Sequence, residues 1–255
     1  FVLLNNDVEV PLTWIEPVIA AMQADESIAA AQPKIMQYQN KSMFEYAGAA
    51  GGYMDKLGYV FCRGRVFEIL EEDKQQYDDT REVFWASGAC FFVKSAAFRE
   101  VGGFDENFFA HMEEIGLCWR LQLSGYKIIA VGSAYVNHLG GSTLQKADAQ
   151  KTFLNFRNSL IMLLKNMPAH TLWWFILTRS FLDLLSSLFF LMNAKTDYFM
   201  AVHRAHVQFY FHFGKWFKLR KTVKRNIDHS QLKGIYKGSI IYQHFIMGKQ
   251  YFKDL

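Results

Sequence analysis

Short apolar runs that end in polar clusters alternate, through the first half of the chain, with segments of helical periodicity. Phe1-Val2-Leu3-Leu4 runs into Asn5-Asn6-Asp7 and then Val8-Glu9-Val10-Pro11. That is the look of a buried parallel strand whose carboxyl end delivers Asp7 to a crevice. Trp14, Val18, Ala21 and Met22 recur at helical spacing within residues 12–25, and residues 28–38 read as a strand broken by Pro33. The Gly- and Ala-rich residues 47–52 predict a loop, since no G-x-G-x-x-G fingerprint is present. Ser87-Gly88-Ala89 interrupts two apolar strand-like pieces with residues small enough for a ligand to approach the backbone. A helix follows over about residues 95–100.

From Glu113 to Leu123, the apolar positions Ile115, Leu117, Cys118, Trp119, Leu121 and Leu123 mark another helix, which Gly125 stops. Residues 126–131 and 134–138 are strand pieces, the second ending at His138. Alternating strand and helix signals predict an α/β layer over residues 1–150 and a separate helical region over 151–255. In that second region residues 154–167 form a helix apolar on one side, ending before Pro168. Residues 171–192 are nearly all hydrophobic, but Arg179 and Asp183 sit mid-run, four apart on one face with Ser186 and Ser187. This favours a helix lying in a membrane interface over one that crosses it.

Composition sharpens the picture in two respects. Hydrophobic residues make up 51% of the 255 and aromatics 16%, which excludes disorder over most of the length and supplies a sizeable core. The formal net charge of +4 matters less than its placement. No acidic residue occurs over residues 198–227, while Arg204, Lys215, Lys218, Arg220, Lys221, Lys224 and Arg225 accumulate among aromatics. Such a segment suits an anionic membrane surface. Nucleic-acid binding is not expected, because no RNA- or DNA-binding motif accompanies the patch. The apolar helices alternatively pair with each other or with a second copy of the chain, as a homodimer.

Three widely spaced cysteines, Cys62, Cys90 and Cys118, form no C-x-x-C pair, which points to a reducing, cytoplasmic compartment rather than a disulfide framework. Candidate chemistry concentrates in residues 102–120. There Asp105, Glu106, His111, Glu113 and Glu114 lie among aromatics, where burial or like-charge proximity raises a carboxylic acid toward neutrality and makes a general base. Glu113 and Glu114 open a helix, and plain N-terminal charge placement is the alternative reading. Asp7 at a strand tip suits a hard divalent cation or is an ordinary turn residue. His138, closing a strand, is a ligand, an acid or a structural histidine. Arg63 and Arg65 flank one glycine and either clamp a phosphate or sugar acid, or pair with the acidic residues 68–79.

Taken together, these residues carry a resemblance. Leu3-Leu4-Asn5-Asn6-Asp7-Val8, Ser87-Gly88-Ala89, residues 102–109 (Gly-Gly-Phe-Asp-Glu-Asn-Phe-Phe), Glu113-Glu114 with Leu117-Cys118-Trp119-Arg120, Gly125-Tyr126, and His138 ahead of Gly140-Gly141-Ser142 resemble family 2 glycosyltransferases, most of all the bacterial rhamnosyltransferase-like branch. The ordered set spans residues 1 to about 143. The resemblance implies a GT-A fold, a Rossmann-like mixed sheet with a D-x-D-type metal motif at a strand tip. It further implies inverting transfer from a nucleotide-diphosphate sugar, with Mg²⁺ or Mn²⁺, to a glycan or lipid-linked acceptor in bacterial polysaccharide synthesis. By the same likeness Glu114 is the general base with Glu113 its near alternative, and Asp7 and His138 are metal ligands. Ser87, Gly88, Ala89, Asp105, Trp119 and Arg120, with Arg63, are expected to contact substrate.

Asn5 stands where many members have Asp, and Gly116 where many have an acid. These departures support a competing reading, a membrane-bound binding or scaffold module that keeps the fold without the activity. In the family, units that hold the donor's base and ribose precede the metal motif. The chain opens directly in an apolar run without Met, so these residues alone are expected to be truncated at the N-terminal side and to transfer sugar weakly or not at all. The expected location is peripheral, at the inner face of the membrane.

Overall fold

The computed structural model describes residues 1–140 and 149–255. Its strands are β1 (Val2–Leu4), β2 (Val8–Glu9), β3 (Ile28–Gln37), β4 (Gly52–Asp55), β5 (Val60–Cys62), β6 (Arg65–Val66), β7 (Ile69–Leu70), β8 (Thr80–Glu82), β9 (Cys90–Val93), β10 (Lys127–His138) and β11 (Ile235–Tyr236). Its helices are α1 (Glu16–Ala24), α2 (Ser95–Glu100), α3 (Glu113–Leu123), α4 (Ala149–Asn166), α5 (Ala169–Met192), α6 (Thr196–Phe211) and α7 (Phe213–Leu219). A mixed sheet runs in the order β1-β9-β3-β10-β2, with β8 also on β10, and a smaller sheet in the order β11-β4-β5-β6-β7. The chain is thus an α/β layer followed by helices.

Only β3 and β10 are parallel in the main sheet, and they form its centre. They are the two long strands, and β3 is buried along nearly its whole length, as a strand covered on both faces must be. Pro33 does not break β3. It lies opposite Val131, where β10 shifts register before resuming at Tyr135, so the missing N–H falls where the ladder is already interrupted. The two strand pieces expected over 126–138 are for the same reason one bulged strand.

β1 departs from expectation. It pairs antiparallel with β9 at the sheet edge, and Phe1, Val2 and Leu4 are exposed, so it is neither parallel nor buried. On one face of the sheet α1 seats Val18 and Met22 against Ile28, Ala31 and Ile35. On the other, α3 is buried from Ile115 to Leu123. The same core continues into Leu160–Leu164 of α4, Leu172 and Ile176 of α5, Phe209 and Trp216. α4 is consequently buried all round over Asn158–Asn166, not on one side alone.

α5 has its polar residues inside. Arg179, Asp183 and Ser187 are buried, whereas Trp174, Leu177, Phe181 and Phe189 are 60–72% exposed. Arg179 stacks on Tyr59, 3.8 Å from its centroid, and His206 of α6 meets Asp183 at 3.1 Å. By length and composition this helix also suffices to cross a membrane.

Candidate functional site

Strand pairing assembles one corner of the site. β2 runs antiparallel to the end of β10, with Val8 opposite His138, and Leu139 N–H donates to the Asp7 carbonyl at 2.9 Å. Asp7 Oδ1 therefore lies 3.1 Å from His138 Nε2, and Asn5 Nδ2 is 3.5 Å from the same nitrogen. Behind the ring, Glu45 Oε2 faces His138 Nδ1 at 3.3 Å. Nδ1 has no hydrogen-bond partner, so Glu45 acts on the ring as a nearby charge, the side from which a metal-binding histidine is usually supported. Burial pulls the imidazole pKa down, but Glu45 and Asp7 outweigh it and hold it above its ordinary value.

Glu45 was not legible in the sequence. Its only trace is Gly140, whose φ of +54° and lack of Cβ leave room for the Glu45 carboxylate. An oxygen and an imidazole nitrogen suit Mg²⁺ or Mn²⁺, and the amide oxygen of Asn5 is within reach if that side chain turns. Two protein ligands fit a cation that also takes substrate phosphates. Among the described residues no group of three or more acids, histidines or cysteines converges as a closed metal site. The Gly141 and Ser142 of the sequence motif, with Thr143, lie outside the described residues.

The second corner is acidic. A cleft of about 580 Å³ is lined by Leu3, Asn5, Gly88, Asp105, Glu113 and Glu114, among others. Asn5 N–H donates to the Ala89 carbonyl at 3.1 Å, so the Ser87-Gly88-Ala89 turn bridges the strand tip and the Glu114 carboxylate. Burial, and next the Glu113 carboxylate, push the Glu114 pKa up to about 8, against the pull of N–H donors including that of Gly88. Burial raises Glu113 too. Glu114 Oε2 is sealed from water without a hydrogen-bond partner. A buried, unsatisfied carboxylate poised near neutrality is equipped to accept a proton.

α4 holds the loop that presents these acids. Phe109, His111 and Met112 all have φ of 65–69°, each a strained conformation for a side-chain-bearing residue. Asn158 Nδ2 donates to the carbonyls of Phe108, Ala110 and His111 at 2.8–3.0 Å. Arg157 Nη2 donates to those of Asn107 and Phe108, and Lys165 pairs with Asp105. None of these three helix residues stood out in the sequence, because a lone polar residue on an apolar helix has no distinguishing spacing. Gly116 also has a structural reason: a Cβ there would come within 3.3 Å of the Phe108 ring, so its hydrogen makes room for the loop.

Several expected substrate contacts are not in the cleft. Arg120 is buried and donates to the carbonyls of Val101, Gly103 and Gly116, tying helix to loop. Trp119 is fully buried on the far side of α3, against Phe84 and His229. Arg63 is committed to Asp79 and the Tyr77 ring, so the acidic stretch takes it. Ser87 is buried with its Oγ donating to the Ala47 carbonyl, which shapes the turn. Asp105 lines the cleft, but Lys165, with Asn107, overrides its burial and holds it below the ordinary carboxylate range. Gly88 remains as a backbone surface beside Glu114.

Comparison with known proteins follows the motifs. No protein-family profile matches the chain. It is 35% identical over 124 residues to the N-acetylglucosaminyl-diphospho-decaprenol L-rhamnosyltransferase of Mycobacterium tuberculosis, covering 49% of this chain and 39% of that one. It is 37% identical over 62 residues to rhamnosyltransferase WbbL of Escherichia coli, 24% of this chain and 23% of that one. The match thus spans about two fifths of the longer alignment partner. A crystal structure of GalNAc-T7 with UDP, GalNAc and Mn²⁺ superposes with a TM-score of 0.45 at 18% identity, over 64% of this chain and 31% of that one. The resemblance read from the motifs agrees with relatives named as rhamnosyltransferases.

Proposed function

We propose that this chain carries the catalytic cleft of a GT-A-type, family 2 glycosyltransferase that moves a sugar from a nucleotide-diphosphate donor to a hydroxyl acceptor. The observation that carries the reading is the single cleft in which Asn5, next to the Asp7–His138 pair, faces Glu114 across the Gly88 turn. The relatives' names support a sugar acceptor carried on a lipid diphosphate. Asp7 and His138 would hold Mg²⁺ or Mn²⁺, with Glu45 orienting the histidine. The cation supplies charge neutralisation for the departing diphosphate.

Glu114 takes the proton of the acceptor hydroxyl as that oxygen bonds to the sugar carbon. The carbon–oxygen bond to the nucleotide diphosphate breaks on the opposite side, and the leaving group departs with the bonding pair. Attack opposite the leaving group inverts the anomeric centre. Glu113 keeps Glu114 basic by like-charge repulsion, and the Gly88 N–H orients its carboxylate. The outward apolar face of α5 and the basic residues over 204–225, whose helix α7 stacks Phe213 and Phe217 on Trp173 at the start of α5, support a peripheral seat on an anionic, cytoplasmic membrane surface, where a lipid-linked acceptor resides.

The test is consumption of nucleotide-diphosphate sugars by the full-length protein with Mn²⁺ and membrane lipid. Turnover lowered about 10²–10⁴-fold in Glu114→Gln supports the reading. No consumption of any donor, or full activity in Glu114→Gln, leaves the inactive scaffold in its place.

A further inference from the structure

Glu114 also lines a second pocket, of about 410 Å³, on the side away from Asn5, whose walls include Tyr46, Tyr59, Trp85, Arg65 and Phe156. That volume is in the range of small-molecule sites, and beside the aromatic walls the lining carries the charged side chains of Arg65, Glu68, Glu114, Lys151 and Arg179. One wall is formed by α4 and another by Arg179 of α5.

Arg65 is the anomaly in it. Four arginines are buried among the described residues: Arg63, Arg65, Arg120 and Arg179. Arg63 has Asp79, Arg179 has Asp183 and Arg120 has three carbonyls. Arg65 is 8% exposed and, among the described residues, pairs with no carboxylate. Its Nε has no hydrogen-bond partner, and its other donors meet neutral groups, the Phe67 carbonyl at 3.5 Å and Cys62 Sγ at 3.7 Å, both at the limit of hydrogen bonding, and the Tyr46 side chain. Its guanidinium lies 4.0 Å from the Tyr46 centroid, and Lys151 Nζ lies 5.4 Å from the same ring. A buried cation needs a counter-charge, and a planar fork with open donors matches a phosphate.

We infer that this second pocket is the acceptor subsite and that Arg65 receives a phosphate or diphosphate carried by the acceptor. The inference rests on the glycosyltransferase reading and goes beyond it by assigning the acceptor's anion a residue. Glu114 then stands between donor and acceptor, with a face to each. Arg65 is a binding residue and takes no part in proton transfer.

The probe is geranylgeranyl diphosphate in detergent micelles, titrated calorimetrically into the full-length protein, with geranylgeraniol and inorganic pyrophosphate with Mn²⁺ as parallel ligands. Wild type is expected to bind the lipid diphosphate more tightly than the alcohol. Arg65→Met is expected to lose roughly tenfold or more of that preference, as removal of a charge-assisted pair does. Arg65→Lys recovers part of it. Binding of pyrophosphate with Mn²⁺, which belongs to the Asp7 side, stays unchanged in Arg65→Met. The melting temperature of Arg65→Met should hold or rise, because an unpaired buried charge is removed.

Lipid-diphosphate affinity in Arg65→Met within about twofold of wild type would overturn the inference, as would no preference for the diphosphate in wild type. Pyrophosphate binding that falls with Arg65→Met would assign the arginine to the leaving group, and overturn it as well. In each case Mn²⁺ binding at Asp7 and His138 is a separate result, so the broader reading stands or falls independently.

Discussion

At the scale of single residues, Glu114 sets the pH behaviour. Its folded pKa of about 8 lies above the ordinary value of 4.5, so between those values the folded state binds more protons than the unfolded state, and stability falls as pH rises. Glu114→Gln removes that cost. The variant should melt higher than wild type at pH 8 and nearly equally at pH 4, a difference that thermal unfolding at the two pH values reads directly. Transfer, which needs the ionised base, should rise with pH through about 8 in wild type. It should fall about 10²–10⁴-fold in Glu114→Gln, the usual worth of a general base. A pH-independent rate would remove Glu114 from that role.

Asn158 is the second residue with a definite consequence. Its amide serves two carbonyls of a strained loop and a third beside them. Asn158→Ala should destabilise the protein by about 2–3 kcal/mol, the cost of leaving buried acceptors unsatisfied, and lower activity although the residue touches no substrate. A loss below about 0.5 kcal/mol in chemical denaturation would mean that the loop holds itself.

Among the elements, α5 carries the membrane argument. Its buried face holds the Arg179–Asp183 pair and its outer face is apolar. Phe181→Glu with Leu185→Glu should abolish co-sedimentation with anionic vesicles while leaving the melting temperature almost unchanged, since both side chains are exposed. Unchanged sedimentation would give that face to another chain. Asp183→Ala should instead cost about 3–5 kcal/mol, because it strands a buried guanidinium.

The elements also show what sequence patterning reaches. Helices α2 and α3 emerge at their expected bounds, because apolar spacing and a glycine stop are local signals. β1 and Pro33 mislead for one reason: an apolar run does not state its partner's direction, and a proline does not state that the opposite strand has a bulge. Arg179 and Asp183 read correctly as one face, but spacing could not say that this face turns inward.

For the whole molecule, the positions expected from the motifs, Asp7, His138, Gly88 and Glu114, lie at the two corners the structure brings together. What no motif announced is the support: Glu45 behind His138 and Asn158 above the acid loop, while Arg65, noted only for its spacing from Arg63, lies in the second pocket. Arg120, Trp119 and Arg63 show the converse, since a motif position can serve the core. The α/β layer and the C-terminal helices share one core, so α5, whose outer face would meet a membrane, packs on the α4 helix that shapes the acid loop.

The most direct test of the shared cleft is Mn²⁺ binding followed by electron paramagnetic resonance, in wild type and in Asp7→Ala, His138→Ala and Glu114→Gln. One site in wild type, lost in the first two variants and kept in the third, is the predicted result. Mn²⁺ affinity unchanged in both Asp7→Ala and His138→Ala would contradict it.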